Sequence, residues 1–191
     1  MITSTISERG FCKLNIEVNT EMELQKSLNL LPNIVCLSLN LQHLENCDVS
    51  RIIRDLDFSF LKRLKLSYAY KRVTFVDLDP SMFPALNSLE FDDFKHAHYF
   101  SKDLNAFING LRTLKKLTLI GCCYKCFKCN SNTVETLVLC CYHFDKKELK
   151  SIEAGLPNLR HLQVQAQQYG EMEKTNDSKK RSPRVPVDFL Y

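Results

Sequence analysis

LPNIVCLSL, residues 31–39, carries apolar side chains at its first, fourth, seventh and ninth places. Residues 131–139 (SNTVETLVL) keep every apolar place except the first, and residues 11–16 (FCKLNI) match the end of the pattern. With these two weaker copies, the pattern extends from residue 11 to residue 164. The full pattern returns at residues 58–66 (FSFLKRLKL), 83–91 (FPALNSLEF), 111–119 (LRTLKKLTL) and 156–164 (LPNLRHLQV).

The seventh place recurs at intervals of 20 to 28 residues. Residues two apart in a strand point to the same face, so the seventh and ninth places form one apolar face of a short strand. A single strand cannot bury this face alone, whereas parallel neighbours bury it continuously. The pattern therefore predicts stacked parallel strands with core residues at Leu14, Leu37, Leu64, Leu89, Leu117, Leu137 and Leu162.

The segments that return the chain from one copy to the next fall into two kinds. Helices are predicted over residues 20–30, 48–57, 101–110 and 144–155. Asp48, Ser101 and Asp145 are N-cap candidates, and Gly155 stands where a glycine commonly ends a helix. Residues 76–82 contain Pro80 and residues 124–130 are too short for a helix, so both are predicted to be irregular.

The repeated L-x-x-L-x-L core resembles the leucine-rich-repeat family over residues 11 to about 165. The resemblance implies an α/β solenoid with a curved parallel sheet on the concave side and helices or irregular returns on the convex side. The helical returns are similar to the intracellular F-box and ribonuclease-inhibitor-like type, in which Cys or Asn commonly stands three residues after the last strand leucine. Cys122 and Asn19 hold that place, and the other copies do not. The F-box itself is not among these 191 residues.

The chain is expected to divide into a solenoid of about seven repeats, residues 1–165, and a disordered basic tail, residues 166–191, which is polar and lacks an apolar period. The tail's KKRSPR (residues 179–184) is either a nuclear-import signal or a solubilising charge run. No apolar run approaches the roughly 18 residues of a membrane span, and residues 1–13 lack the apolar core of a signal peptide. A cytoplasmic or nuclear location without a membrane partner is therefore expected.

The nine cysteines are the sharpest chemical feature of the sequence. Cys123, Cys126 and Cys129 have a C-x-x-C-x-x-C spacing, and zinc requires four sulfur or nitrogen ligands. The later cysteines, Cys140 and Cys141, are expected beyond the solenoid wall, so free thiols are predicted rather than zinc. His96 and His98 lack a third ligand and are assigned to a solvated loop. Because no catalytic motif or phosphate-binding loop stands out, no enzyme activity and no cofactor are predicted.

Three rows of outward side chains are expected on the concave face, at the sixth, eighth and tenth places. None contains an aromatic residue on which bases could stack, and Lys65 beside Glu90 and Arg63 near Asp92 interrupt the positive charge. This argues against a nucleic-acid groove and favours a protein partner. The predicted partner-binding residues are Arg63, Lys65, Glu90, Asp92, Lys116, Ile120, Val138 and Cys140.

Ile120, Val138 and Cys140 break the polar character of these rows on two consecutive strands. One interpretation is an exposed apolar interface centre with Lys116 and Thr136 at its edge. The other is that the short 20-residue repeat twists locally and buries the patch beneath Tyr124 or Tyr142.

The resemblance implies a protein-binding recognition module, one form of which is the substrate-receptor part of an F-box type ubiquitin-ligase subunit. A partner-binding scaffold unrelated to ubiquitin is one alternative. An RNA- or chromatin-associated repeat protein is the other, suggested only by the basic tail.

Overall fold

The computed structural model describes residues 2–6, 12–17, 19–20, 22–23, 26, 28, 33–44, 47–54, 56–68, 73–74, 78–93, 102–121, 128–144, 146–169 and 187–190. Eleven strands are present in these ranges. They are β1 (Ile2–Ile6), β2 (Cys12–Glu17), β3 (Ile34–Asn40), β4 (Cys47–Asp48), β5 (Arg63–Tyr68), β6 (Val73–Thr74), β7 (Ser88–Asp93), β8 (Lys116–Ile120), β9 (Thr136–Phe144), β10 (His161–Tyr169) and β11 (Val187–Leu190).

One nine-stranded open sheet organises the chain, in the order β1-β2-β3-β5-β7-β8-β9-β10-β11. The strands from β2 to β10 are parallel and follow one another in chain order, so the chain advances by one strand with each repeat. β1 pairs antiparallel with β2 at one edge. The short strands β4 and β6 form a separate parallel pair between two returns.

The strand register confirms the predicted core. Leu14, Leu37, Leu64, Leu89, Leu117, Leu137 and Leu162 pair consecutively across the seven parallel strands, and each is at most 4% exposed. The ninth-place residues are buried beside them, from Ile16 on β2 to Val164 on β10. The structure is therefore an α/β fold with a repeat-like parallel sheet, and its core follows the two-residue period of the strands.

The predicted helices are present but shorter. They run over Val49–Ile53, Lys102–Gly110 and Lys146–Gly155. Asp48 caps the first by accepting a hydrogen bond from the Ser50 N–H at 3.1 Å, whereas Ser101 and Asp145 lie outside the described residues.

The three remaining returns are described in part, and residues 128–130, the described end of the return predicted as irregular over 124–130, form neither helix nor strand. In the predicted first helix, Thr20 Oγ1 accepts a hydrogen bond from the Glu23 N–H at 3.2 Å, the contact expected of an N-cap. The return with Pro80, predicted as irregular, forms one turn of 3-10 helix over Pro80–Met82, because Asp79 caps it and Pro fits the first turn.

The residue that precedes each of β5, β7, β8 and β9 is hydrogen-bonded to the next repeat. The carbonyls of Lys62, Asn87, Lys115 and Glu135 each accept hydrogen bonds from two consecutive N–H groups at the same point of the next repeat, at 2.8–3.1 Å. Beneath this seam, the first-place rings of Phe58 and Phe83 stack at 5.1 Å. These repeated contacts fix the position of each strand relative to the next.

The end of the chain differs from the prediction of a disordered tail over residues 166–191. β10 continues to Tyr169, and Val187–Leu190 forms β11, which pairs in parallel with β10 from Leu162 to Gln165. An edge strand presents unpaired backbone groups, and a short alternating segment such as VDFL can satisfy them. Residues 170–186 lie outside the described residues, where the tail remains a prediction.

In the described ranges, no helix is long and apolar enough to cross a membrane.

Candidate functional site

The sheet has one face packed on the core and one face that carries the sixth-, eighth- and tenth-place side chains, here called the open face. Strand pairing aligns these places into three rows, as the sequence predicts. Arg63, Ser88 and Lys116 are consecutive in the sixth-place row, Lys65 and Glu90 in the eighth, and Asp92, Ile120 and Cys140 in the tenth.

A groove of about 630 Å³ lies on the open face and extends from β2 to β8. Its polar lining comes from the sixth and eighth places together with Asn87 and Lys115 at the strand entrances. Four of the lining side chains are cationic and one, Glu90, is acidic. The lining residues are Leu14, Asn15, Cys36, Leu37, Ser38, Arg63, Leu64, Lys65, Asn87, Ser88, Glu90, Lys115 and Lys116.

Two of the four groove cations are neutralised by acids on the next strand or its entrance. Lys65 Nζ lies 2.7 Å from Glu90 Oε1, and Lys115 Nζ lies 2.6 Å from Glu135 Oε1. The Lys115 ammonium lowers the pKa of Glu135 by hydrogen bonding and by its charge. These two pairs restrain Lys65 and Lys115 on the groove and neutralise their charges.

Arg63 and Lys116 differ from the other two groove cations. Both are exposed, and neither has an ion-pair partner among the described residues. Their charges are therefore available to a ligand in the groove.

Asp92 lies close to Lys65, which corrects the expectation that it lies near Arg63. Its Oδ2 is 3.9 Å from Lys65 Nζ. Arg63 is four places away along the strand direction, about 13 Å at 3.3 Å per residue, whereas Lys65 is only two places away. Lys65, Glu90 and Asp92 thus form one cluster.

Asp92 is 5% exposed, and its Oδ1 has no hydrogen-bond partner among the described residues. Burial raises its pKa, and the charge of Glu90 adds to the rise, against the opposing effects of Lys65 and of a hydrogen bond from Ser67. Asp92 therefore shapes the floor of the open face and is not accessible to a partner.

Ile120, Val138 and Cys140 are brought together as predicted. Ile120 pairs with Cys140, Val138 lies two residues before Cys140 on β9, and all three side chains are half-buried. Cys140 Sγ lies 3.6 Å from Gln165 Oε1. Tyr124 and the side chain of Tyr142 lie outside the described residues, so both interpretations of the patch stand.

The cysteines are described in part. Cys129 is buried, and this burial raises its pKa to about 12, so its thiol is neutral near pH 7. Cys140 and Cys141 are neighbours on β9, one half-buried on the open face and the other buried. In the part of the chain that the structure describes, no three His, Cys, Asp or Glu side chains form a group able to hold a metal. Cys123, Cys126, His96 and His98 lie outside it.

Sequence reasoning missed the contribution of the strand entrances. Asn87 and Lys115 line the groove although they stand at the fifth place, one residue before the sixth-place row. The available signal was the consecutive pair Lys115–Lys116, which places two positive charges at one strand entrance.

Comparison with known proteins gives no match. No family model matches the chain, and neither a curated protein nor a solved structure matches it.

Proposed function

We propose that this chain is a protein-binding recognition module of the leucine-rich-repeat type, and that the open face is its binding surface. One observation carries the proposal. The groove of about 630 Å³ runs across the strands on the face away from the core and is lined by polar and charged side chains at fixed strand positions.

The physical argument rests on preorganisation. The hydrogen bonds at each strand entrance hold the repeats in register, and ion pairs hold Lys65 and Lys115 in place. A partner that binds here orders few additional groups, and ordering groups is one of the main costs of association. A rigid surface of mixed charge therefore favours selective recognition of a protein.

The size of the open face limits the kind of partner that it can bind. Seven strands about 4.8 Å apart extend about 29 Å, and the sixth to tenth places extend about 13 Å. This footprint is smaller than the roughly 800 Å² that each partner contributes to a standard protein–protein interface. A segment of a partner chain fits it better than the flat face of a domain.

The finer proposal is a substrate receptor of the F-box type, acting in the cytoplasm or nucleus. It is supported by the resemblance of the repeats and by their helical returns. A scaffold unrelated to ubiquitin would use the same face. The two differ in the fate of the partner: removing a substrate receptor from cells raises the amount of its bound protein, and removing a scaffold leaves that amount unchanged.

The proposal is tested by site-specific photo-crosslinking in cells. A photoreactive phenylalanine analogue is placed at Ser88 in the groove or at Ala106, an exposed residue of the helix Lys102–Gly110. We expect discrete protein adducts from Ser88 that are missing from Ala106. The same adducts from both positions, or none from Ser88, would contradict the proposal.

The apolar patch offers a second test. Ile120→Asp or Val138→Asp should leave the fold intact and weaken binding of the crosslinked partner by roughly 2 kcal/mol or more, the scale of a hot spot. Circular dichroism and urea unfolding check the fold of each variant. If both variants lose stability while binding per folded molecule is unchanged, the patch belongs to the core and is not part of the interface.

A further inference from the structure

The groove has an uneven balance of charge. Glu90 and Glu135 neutralise two of its four cations, at 2.7 and 2.6 Å. Arg63 and Lys116 remain, both exposed and without an ion-pair partner among the described residues. A ligand that fills the groove therefore meets two positive charges that no described acid neutralises.

These two cations have a defined separation. Strand pairing places Arg63 beside Ser88 and Ser88 beside Lys116, so the two cationic positions are two strands apart. At about 4.8 Å per strand their backbones are about 9.6 Å apart. The short, half-buried Ser88 between them leaves room for a ligand backbone to pass.

We propose that the groove binds an acidic peptide segment in an extended, polyproline-type conformation, with two acidic side chains three residues apart. A polyproline II helix rises about 3.1 Å per residue and repeats every three residues, so such side chains recur about every 9.3 Å on one face. This matches the spacing of about 9.6 Å between the backbone positions of Arg63 and Lys116, whose side chains both line the groove. The inference rests on the proposed function and names the class of partner that the face recognises.

Arg63 and Lys116 have different parts in this recognition. The Arg63 guanidinium can hold one carboxylate with two parallel N–H donors, which fixes its orientation. The Lys116 ammonium acts as a point charge and accepts a wider range of approach. The Ser88 hydroxyl can donate a hydrogen bond to a peptide carbonyl between the two carboxylates.

The open face favours a peptide over a nucleic acid. The described side chains in its three rows include no aromatic residue to stack on a base. Two of the four groove cations are already paired with acids, so the groove lacks the run of unpaired cations that a continuous phosphate backbone requires.

The experiment measures binding of fluorescein-labelled peptides by anisotropy at low salt. The probe GPPEPPEPPG carries two glutamates three residues apart, GPPQPPQPPG removes the charge, and GPPEEPPPPG places the charges side by side. A twelve-nucleotide uridine strand is the nucleic-acid arm. We expect the first peptide to bind at least about fivefold more tightly than each of the others, with affinity falling as salt is added.

Three single variants test the assigned positions. Arg63→Gln and Lys116→Gln should each weaken binding of the first peptide between about two- and fivefold, the range for partly exposed ion pairs. Arg112→Gln, an exposed cation at the first turn before β8, is the matched control and should change nothing. Urea unfolding of each variant separates lost binding from lost folding.

Defined outcomes overturn the inference. If the glutamate and glutamine peptides bind equally, peptide charge does not contribute to binding and the proposal is wrong. If the adjacent-glutamate peptide binds as tightly as the first peptide, the three-residue spacing is wrong. Tighter binding of the uridine strand, or an equal loss in Arg112→Gln, contradicts the site. If these tests fail while Ser88 still crosslinks to discrete proteins, the partner class is wrong and the recognition module stands; if both fail, both proposals fall.

Discussion

Replacing Gly155 by alanine tests how tightly one return segment packs against the preceding repeat. Gly155 is the last residue of the helix Lys146–Gly155. A β-carbon built on it would overlap the carbonyl oxygen of Cys129 and lie 3.3 Å from the carbonyl carbon. The Gly155 carbonyl also accepts a hydrogen bond from the Ser131 N–H at 2.9 Å. The helix end and residues 129–131 are therefore in direct backbone contact.

Competing effects determine whether Gly155→Ala raises or lowers the free energy of unfolding. Alanine is favoured over glycine in a helix by up to about 1 kcal/mol. Against this, the overlap falls on backbone, so the helix end must move away, and overpacking of this kind costs about 1–3 kcal/mol. The movement also weakens the Ser131–Gly155 hydrogen bond, worth about 1 kcal/mol. We expect Gly155→Ala to lower the free energy of unfolding by about 2 kcal/mol, a fall in Tm of roughly 4–8 °C.

Urea unfolding and thermal melting of Gly155→Ala measure this cost, and two variants identify its cause. Ala154→Gly changes helix propensity at the exposed preceding position and should cost only about 0.5–1 kcal/mol. Gly155→Asn distinguishes crowding from a left-handed backbone, because asparagine tolerates that conformation but carries a β-carbon. The φ angle of Gly155 is not in the left-handed region, so asparagine should be no better than alanine. Stability equal to wild type in Gly155→Ala, or rescue by asparagine, would refute the reasoning.

Four further predictions follow from burial and from the cysteine spacing. Leu89→Ala or Leu117→Ala, each at a fully buried site, should cost roughly 2–5 kcal/mol in urea unfolding; a loss below 1 kcal/mol would contradict the core assignment. Burial raises the pKa of Asp92, so ionising it costs more in the folded chain than in the unfolded chain. That cost is absent below the unfolded pKa of about 3.9 and grows as pH rises through the folded value. The free energy of unfolding of Asp92→Asn should therefore rise relative to that of the wild type between pH 3 and pH 7. A difference between the two that stays constant with pH would show that the pKa of Asp92 is not raised. The Cys129 thiol, whose pKa burial raises to about 12, should resist alkylation at pH 8 until the chain is unfolded, as peptide mass spectrometry can measure; labelling as fast as in urea would show that it is accessible. Metal analysis of protein purified without chelator should find no stoichiometric zinc at Cys123, Cys126 and Cys129, and chelation should leave the Tm unchanged; one zinc per chain would overturn this.

The register of the sheet could be predicted because it rests on a local rule. Each copy of the nine-residue pattern places two apolar residues two apart, and a slip of one residue would turn both to solvent. Leu64, Leu89, Leu117 and Leu137 are therefore buried and paired as the spacing predicts. The outward rows follow from the same register.

Contacts that depend on reach across strands could not be predicted in the same way. The register already places Lys65 beside Glu90, but only the direction of the long lysine side chain also brings its Nζ within 3.9 Å of Asp92. The burial of Asp92 on a face expected to be solvated is also a tertiary effect. It depends on what surrounds the carboxyl and not on the period of its strand.

The seven strands of the repeats, their register and the side chains that occupy the core follow from the amino-acid sequence alone, because stacking the strands in parallel buries every copy of the apolar pattern at once. Three features appear only in the folded chain: the approach of Lys65 to Asp92, the close contact of Gly155 with the Cys129 carbonyl, and the pairing of Ile2–Ile6 and Val187–Leu190 with the two outer strands of the parallel stack. These features depend on distances between residues far apart in the chain. A hydrophobic pattern constrains those distances only through the positions of the backbone strands, whereas the final distances between side chains also depend on their length and packing.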